Sequence, residues 1–212
     1  MSGAQTSSVR LVGTLGLISL IAGVLIAFTY KLTEKPIAAN QSKIMEEAVF
    51  QVLPGAAKRR DILLEDAGPR DCKPGEKPEF YAAEDASGAF IGYAMRATGR
   101  GYAGNVEILY GYSPAKKAVI GMKVLQSNET PGLGDKILKD PAFLANFTAL
   151  DVSDVEKNPI ETVKHGKKTN PWQIDGISGS TVSSKAVGKA LRESTTKMVP
   201  RLQTPPPNKE VP

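Results

Sequence analysis

The chain has 212 residues, with 27 basic against 22 acidic side chains and a formal net charge of +5. The basic residues are spread along the whole length with no aromatic-interleaved stripe, which argues against nucleic-acid binding. A single cysteine, Cys72, excludes an internal disulfide, a Cys-rich metal site or an iron–sulfur centre held by this chain alone.

After a short tail (1–10), Leu11 to Tyr30 is twenty residues without a charge, long enough at about 1.5 Å per residue to cross a bilayer core of roughly 30 Å. The run is long for a signal-peptide core and no small-x-small cleavage site follows it directly. It is therefore expected to be one uncleaved transmembrane helix. Gly16, Ser19, Gly23 and Ala27 recur on one face of it, a stripe that suits close packing against another membrane helix. Flanking charge is nearly balanced, with Arg10 on one side and Lys31, Lys35 and Lys43 on the other, and leans toward placing the following domain inside.

Residues 31–78 read as a stalk and linker. Thr33-Glu-Lys-Pro-Ile is a break, Ala38–Leu53 has helical periodicity up to Pro54-Gly55, Lys58-Arg59-Arg60-Asp61 is a solvated charged run, and Glu65–Pro78 is an exposed loop. A domain is expected over 79–200. Its strands follow alternating apolar residues in Ala89–Thr98, Asn105–Tyr112 and Val119–Leu125, joined by short turns, with a helix from about Val182 that carries Ala186, Val187, Ala190, Leu191 and Met198 on one face. An antiparallel sheet covered by that helix is an α+β domain. The proline-rich tail, 201–212, is expected to be disordered.

Gly99-Arg-Gly101-Tyr-Ala-Gly104 matches the spacing of a dinucleotide fingerprint. A strand pattern follows it where the fingerprint needs a helix, so a Rossmann reading is set aside. Asp140-Pro141 is a helix start, and Phe143 and Phe147 behind it are core aromatics. The lone His165 sits in a Lys/Gly-rich loop, and with no second His and no Cys cluster it reads as a solvated loop residue, so no metal site is expected. Trp172 fits equally an anchor for the next turn or a stacking surface for a flavin.

Two further stretches carry more. Glu129-Thr-Pro-Gly-Leu-Gly134 is a turn with two glycines, and Asp175-Gly-Ile-Ser-Gly-Ser-Thr-Val-Ser-Ser-Lys185 packs hydroxyls and glycines just ahead of the helix. A Ser/Gly turn running into a helix leaves backbone N–H groups that welcome an anion, although a plain Ser/Thr cap is the commoner use of such residues. In order and separation both stretches resemble the FMN-binding domain family, which includes the G subunit of the Rnf electron-transport complex and the C subunit of the sodium-pumping NADH:quinone reductase. The chain length suits the Rnf protein better.

The resemblance implies an extracytoplasmic domain, against the slight lean of the flanking charges, and it is followed here. It implies FMN esterified through its phosphate to Thr181, in a family that usually carries Ala where this chain has Ser180. Ser178, Gly179 and Ser180 would accompany the attachment point. Glu129, Thr130, Leu133 and Gly134 would border the flavin ring, with Gly101 and Tyr102 from the Gly-rich turn. With no acid/base or nucleophile grouping in the sequence, no catalytic residues are assigned, and the chain is expected to pass electrons between neighbours. The partners implied are the other membrane and iron–sulfur subunits of an Rnf-type complex linking ferredoxin and NAD to ion movement, and a flavin transferase using FAD and Mg²⁺. The alternatives are a quinone-reductase subunit and a non-redox membrane-anchored assembly module.

Overall fold

A computed structural model describes residues 8–66 and 68–206. The chain falls into two units, residues 1–45 and 46–212. In the first, the apolar stretch is helical throughout, and Arg10–Glu34 is a candidate membrane span whose most apolar part has a mean hydropathy of 2.5. Its large apolar side chains, among them Leu15, Ile18, Ile26 and Phe28, are exposed, as lipid-facing residues are.

The break expected at Thr33–Ile37 does not occur. Helix α1 runs from Ser8 to Val52 with Pro36 inside it. A proline removes one backbone donor and crowds the preceding turn, which a long helix absorbs locally. Pro54-Gly55 does end it, with Gly55 at φ +91°.

The second unit is built on a seven-stranded sheet in the order β2-β1-β3-β4-β5-β6-β7, every neighbouring pair antiparallel. The three strands read from alternation are present as β4 (Phe90–Arg100), β5 (Asn105–Ser113) and β6 (Ala118–Gln126). β3 covers Phe80–Glu84 and β7 is the short Leu150–Asp151. Two further strands, β8 (Glu161–Val163) and β9 (Gln173–Asp175), pair in parallel apart from the main sheet.

The expected linker holds strands β1 (Lys58–Glu65) and β2 (Gly68–Asp71), so the charged run is part of the sheet. Its charges are paired across strands. Arg60 forks onto Asp71 at 2.9 and 2.6 Å and reaches Glu84 at 2.9 Å, while Arg59 lies 5.0 Å over the Tyr81 ring.

One face of the sheet carries Ile62, Phe80, Tyr93, Met95, Ile108 and Tyr110, which form a single core with Ala186, Val187, Ala190 and Leu191 of helix α3 (Thr181–Met198). Short helix α2 (Pro141–Ala145) adds Phe143, and Phe147 follows, the two rings edge to face at 5.2 Å. Asp140 caps α2 by accepting from the N–H groups of Ala142 and Phe143. The last turns of α1 (Ala48, Val49, Val52) and Leu53 are fully buried, with the Val52 carbonyl set against Gly111 and Gly121 of paired strands β5 and β6.

The start of the tail is anchored where disorder was expected. Leu202 is buried and the Tyr93 hydroxyl donates to the Thr204 carbonyl at 2.6 Å. Residues 207–212 lie outside the described residues.

Candidate functional site

Past β6 the chain folds inward at Glu129, a carboxylate only 6 % exposed. Two glycines make the slot it occupies. A Cβ on Gly101 would stand 2.4 Å from Glu129 Oε1, and one on Gly134 would stand 2.6 Å from Oε2 and 2.9 Å from Ser183 Oγ. Inside the slot Glu129 accepts the Ala103 N–H at 2.9 Å and the Ser183 hydroxyl. A buried carboxylate needs such donors to offset its lost hydration. The Gly-rich turn, the Glu129–Gly134 loop and the start of α3 thus meet on one side chain.

The loop after Glu129 is a compact turn. The Thr130 carbonyl accepts the N–H groups of Leu133 and Asp135, and Gly132 N–H donates to the Asp135 carboxylate at 2.7 Å. Lys139, 2.9 Å from Asp135, holds that carboxyl below its ordinary range. The turn leaves Thr130 and Leu133 facing outward.

The hydroxyl-rich motif is gripped at its entry. Asn146, buried behind α2, accepts the Asp175 N–H at 3.0 Å and donates to the Asp175 carbonyl at 3.3 Å, holding one residue by both backbone groups. The Asp175 carboxylate accepts the Gly166 N–H at 2.7 Å and stands 3.4 Å from His165 Nδ1. Ile177 to Ser180 is then a tight turn closed by Ser180 N–H to the Ile177 carbonyl at 3.1 Å, with Gly179 at φ +80° in the position of a type II turn that demands it. Ser184 reaches back from the first turn of α3, accepting from Ile177 N–H and donating to the Ser180 carbonyl.

The ordinary cap is absent. Ser180 occupies the N-cap position of α3, yet its side chain makes no capping bond. The leading N–H groups of Thr181, Val182 and Ser183 have no carbonyl one turn back within the helix, so they remain open to an outside acceptor.

The hydroxyls here are divided by their surroundings. Ser183 is taken by Glu129 and Ser184 by the Ser180 carbonyl, both buried. Ser180 is buried without a partner. Thr181 and Ser178 are exposed. Thr181 lines a cavity of about 360 Å³ together with Tyr102, Glu129, Thr130, Leu133, Gly134, Gly179, Ser180, Val182 and Ser183. It also lines a second, of about 310 Å³, shared with Lys164, His165 and Ser178. One side of the threonine is therefore apolar-walled and the other carries basic groups. A larger cavity of about 760 Å³ borders Gly176–Ser178 and the Pro131–Gly132 turn but not Thr181.

Of the residues expected from the sequence, Tyr102, Glu129, Thr130, Leu133, Gly134, Gly179, Ser180 and Thr181 come together around the first cavity. Gly101 stands behind Glu129, and Ser178 faces the second cavity. Trp172 is half-buried and lines none of these three cavities. Val182 and Asn146 are not among the residues expected at the site, and His165, with Lys164 beside it, is expected as a loop residue only. Val182 and Ser183 sit inside the motif already quoted, whereas Asn146 is marked by nothing local. Among the described residues no group of His, Cys, Asp and Glu is placed to hold a metal ion.

Among the described residues, the large apolar side chains exposed in the second unit are Tyr102 (77 %), Leu133 (54 %), Leu138 (40 %) and Val182 (50 %). All but Leu138 line the 360 Å³ cavity, which is within the size range of small-molecule sites. Exposed apolar side chains gathered at one cavity, beside uncapped N–H groups, fit a ligand with a flat apolar ring and an anionic tail. FMN has that chemistry.

The model of the FMN-binding domain matches residues 101–196, and that of the RnfG N-terminal region matches residues 1–52. The G subunit of an ion-translocating oxidoreductase complex from Methanosarcina acetivorans is 30 % identical over 87 % of this chain and 91 % of its own length. The chain belongs to the RnfG family of FMN-binding proteins. A further RnfG protein, the G subunit of the proton-translocating ferredoxin:NAD(+) oxidoreductase complex from Clostridium ljungdahlii, is 30 % identical over 90 % of this chain and 91 % of its own. A Na(+)-translocating counterpart from Acetobacterium woodii is 34 % identical over 74 % and 70 %. The chain shares its fold with the C subunit of the Na(+)-translocating NADH-quinone reductase of Parabacteroides distasonis, at a TM-score of 0.61 and 20 % identity, over 78 % of this chain and 94 % of that one. Membership of the RnfG family and, among the described residues, one helix long and apolar enough to cross a membrane make the chain a single-pass membrane protein.

Proposed function

We propose that the chain is the flavin-carrying electron-transfer subunit of a membrane-bound Rnf-type ferredoxin:NAD oxidoreductase that moves ions, with FMN esterified to Thr181. The observation that supports this most is the placement of Thr181: an exposed hydroxyl at the uncapped start of α3, between a cavity walled by apolar side chains and one bearing Lys164 and His165. Ser183 and Ser184, the neighbouring alternatives, have their hydroxyls committed elsewhere.

Bound there, FMN supplies reversible redox chemistry. The chain's own residues supply the rest. The open N–H groups of α3 and its positive dipole end favour the one negative charge a phosphodiester keeps. Tyr102, Leu133 and Val182 offer apolar surface for a ring, and buried Glu129 fixes the two loops that present them. A covalent tether suits a carrier on the extracytoplasmic side, where a dissociated cofactor is lost. Attachment would be the work of a separate flavin transferase with FAD and Mg²⁺: the Thr181 oxygen bonds to the FMN phosphorus, the bond to AMP breaks, and the threonine proton leaves. The chain would work with the other membrane and iron–sulfur subunits of the complex, passing electrons rather than turning over a substrate of its own.

The test is in-gel ultraviolet fluorescence after denaturing electrophoresis of chain co-expressed with the transferase. Wild type should fluoresce and Thr181→Val should not. A dark wild type sinks the flavin reading, and a fluorescent Thr181→Val moves the linkage to another hydroxyl. A cytoplasm-dependent reporter fused to the C-terminus should be silent, and strong activity would place the domain inside.

A further inference from the structure

Ser180 is held tightly by its backbone and not at all by its side chain. Its N–H donates to the Ile177 carbonyl at 3.1 Å, and its carbonyl accepts both the Ser184 N–H at 3.0 Å and the Ser184 hydroxyl at 2.9 Å. The Ser180 hydroxyl is enclosed, with the residue 4 % exposed, and has no hydrogen-bond partner. Among the described residues it is the one buried side-chain polar atom in that state.

Such a group is a cost to the fold with no return, because its water is removed and nothing replaces it. The two common uses of a serine at this position do not apply. It does not cap α3. Nor does it brace the turn, since Ser184 does that from the helix side. The backbone φ of Ser180 is −125°, which alanine adopts as readily, so geometry does not select serine. The hydroxyl belongs to a residue that lines the 360 Å³ cavity, adjacent in sequence to Thr181 and beside the open N–H groups of the helix start.

We infer that the Ser180 hydroxyl is a hydrogen-bond donor to phosphate: with a phosphoryl group on Thr181, it donates its hydrogen bond to a non-bridging phosphoryl oxygen. This rests on the flavin reading above and adds to it a contact that an alanine at this position could not make. The single negative charge of the phosphodiester is then shared between the N–H groups of α3 and one side-chain O–H. A hydrogen bond to a charged oxygen is stronger than one between neutral groups. The hydroxyl therefore works against the protein before attachment and for it afterward.

That change of sign is what a purely structural serine does not show. The full-length chain is prepared in detergent with and without co-expressed transferase, as wild type and as Ser180→Ala, and thermal unfolding is followed for all four. Without flavin, Ser180→Ala should melt at the same temperature as wild type or higher. With flavin attached it should melt lower, so that the rise in melting temperature on flavinylation is smaller by roughly 4 °C. The phosphodiester ³¹P resonance should also move between the two flavinylated proteins. Equal rises in melting temperature with an unmoved ³¹P resonance overturn the inference while leaving the flavin reading intact. Loss of in-gel fluorescence in Ser180→Ala overturns it differently, by making Ser180 the acceptor. A wild-type chain that takes no flavin overturns both readings together.

Discussion

Ser183 at the start of α3 donates its hydroxyl to the carboxylate of Glu129, 54 residues earlier in the chain, and both groups are buried. This contact joins the two motifs that frame the 360 Å³ cavity. Glu129→Ala would leave the Ser183 hydroxyl and the Ala103 N–H without an acceptor, at a cost of about 2–4 kcal/mol. Glu129→Gln keeps the shape, and its amide can accept from Ala103 while donating to Ser183, so it should cost under about 1 kcal/mol. Denaturant unfolding of the two variants in detergent checks the order. A glutamine as damaging as the alanine would mean that the charge, rather than the pair of hydrogen bonds, holds the loops together.

The seat for the end of α1 depends on backbone approach. A Cβ on Gly111 would lie 2.0 Å from the Val52 carbonyl oxygen, and one on the directly paired Gly121 would lie 2.4 Å from the same atom. The obstructing atom is backbone, so no rotamer change relieves it. Gly111→Ala should destabilise the domain by about 1–3 kcal/mol and expose the chain around Val52–Pro54 to protease. Limited proteolysis alongside thermal unfolding reads both effects, and an unchanged cleavage pattern with unchanged stability would show that the helix end does not rest on the sheet.

Asn146 holds the entry to the hydroxyl motif through both backbone groups of Asp175, and its Oδ1 also accepts from Lys168 at 3.1 Å. Asn146→Ala leaves the Asp175 N–H and carbonyl unpaired, for a loss of about 1–3 kcal/mol. It should also slow flavin attachment, because the turn presenting Thr181 is no longer pinned at its start. Asn146→Asp can still accept from the N–H and pair with Lys168 but cannot donate to the carbonyl, and it should fall between. The initial rate of in-gel fluorescence, measured with Thr181 intact, separates this positioning role from a general loss of folded protein.

What the sequence revealed and what it hid divide along the range of the interactions. Strands β4 to β6 were legible because apolar residues such as Val106, Ile108 and Tyr110 recur at every second position and short turns separate the runs, although Leu109 between two of them is buried as well. Strand β1 was not, because Arg59, Arg60 and Asp61 look like a wet surface until Asp71, Glu84 and Tyr81 are brought beside them from other strands. Pro36 reads as a break by local rules, yet the helix continues through it. At the site, Thr181 and its glycine turn stood out as an ordered string of residues. The Glu129–Ser183 contact and the Asn146 clamp did not, since each joins residues 54 or 29 positions apart with no local pattern to mark them.

The β1–β2 end of the sheet should govern part of the acid response. Arg70 makes a fork onto Glu76, with Nη1 2.8 Å and Nη2 3.2 Å from its two oxygens, and the Lys73 N–H adds a third bond at 2.8 Å. The hydrogen bonds from Arg70, and then that from Lys73, hold the Glu76 carboxyl at about 2 against an ordinary 4.5. A carboxylate depressed in the folded state contributes stability that is complete above its unfolded value and disappears as it becomes protonated. The contribution of Glu76 is therefore full above pH 4.5 and is lost as pH falls toward about 2. Both partners are solvent-facing, so salt should weaken the effect. Glu76→Gln should lack that contribution at neutral pH and so flatten the fall in stability across the window, with wild type and variant converging as pH falls toward about 2. Unfolding measured at a series of pH values, with the Glu76 carboxyl titration followed by NMR, checks both the slope and its assignment. An acid limb identical in wild type and Glu76→Gln would place the responsible carboxylate elsewhere.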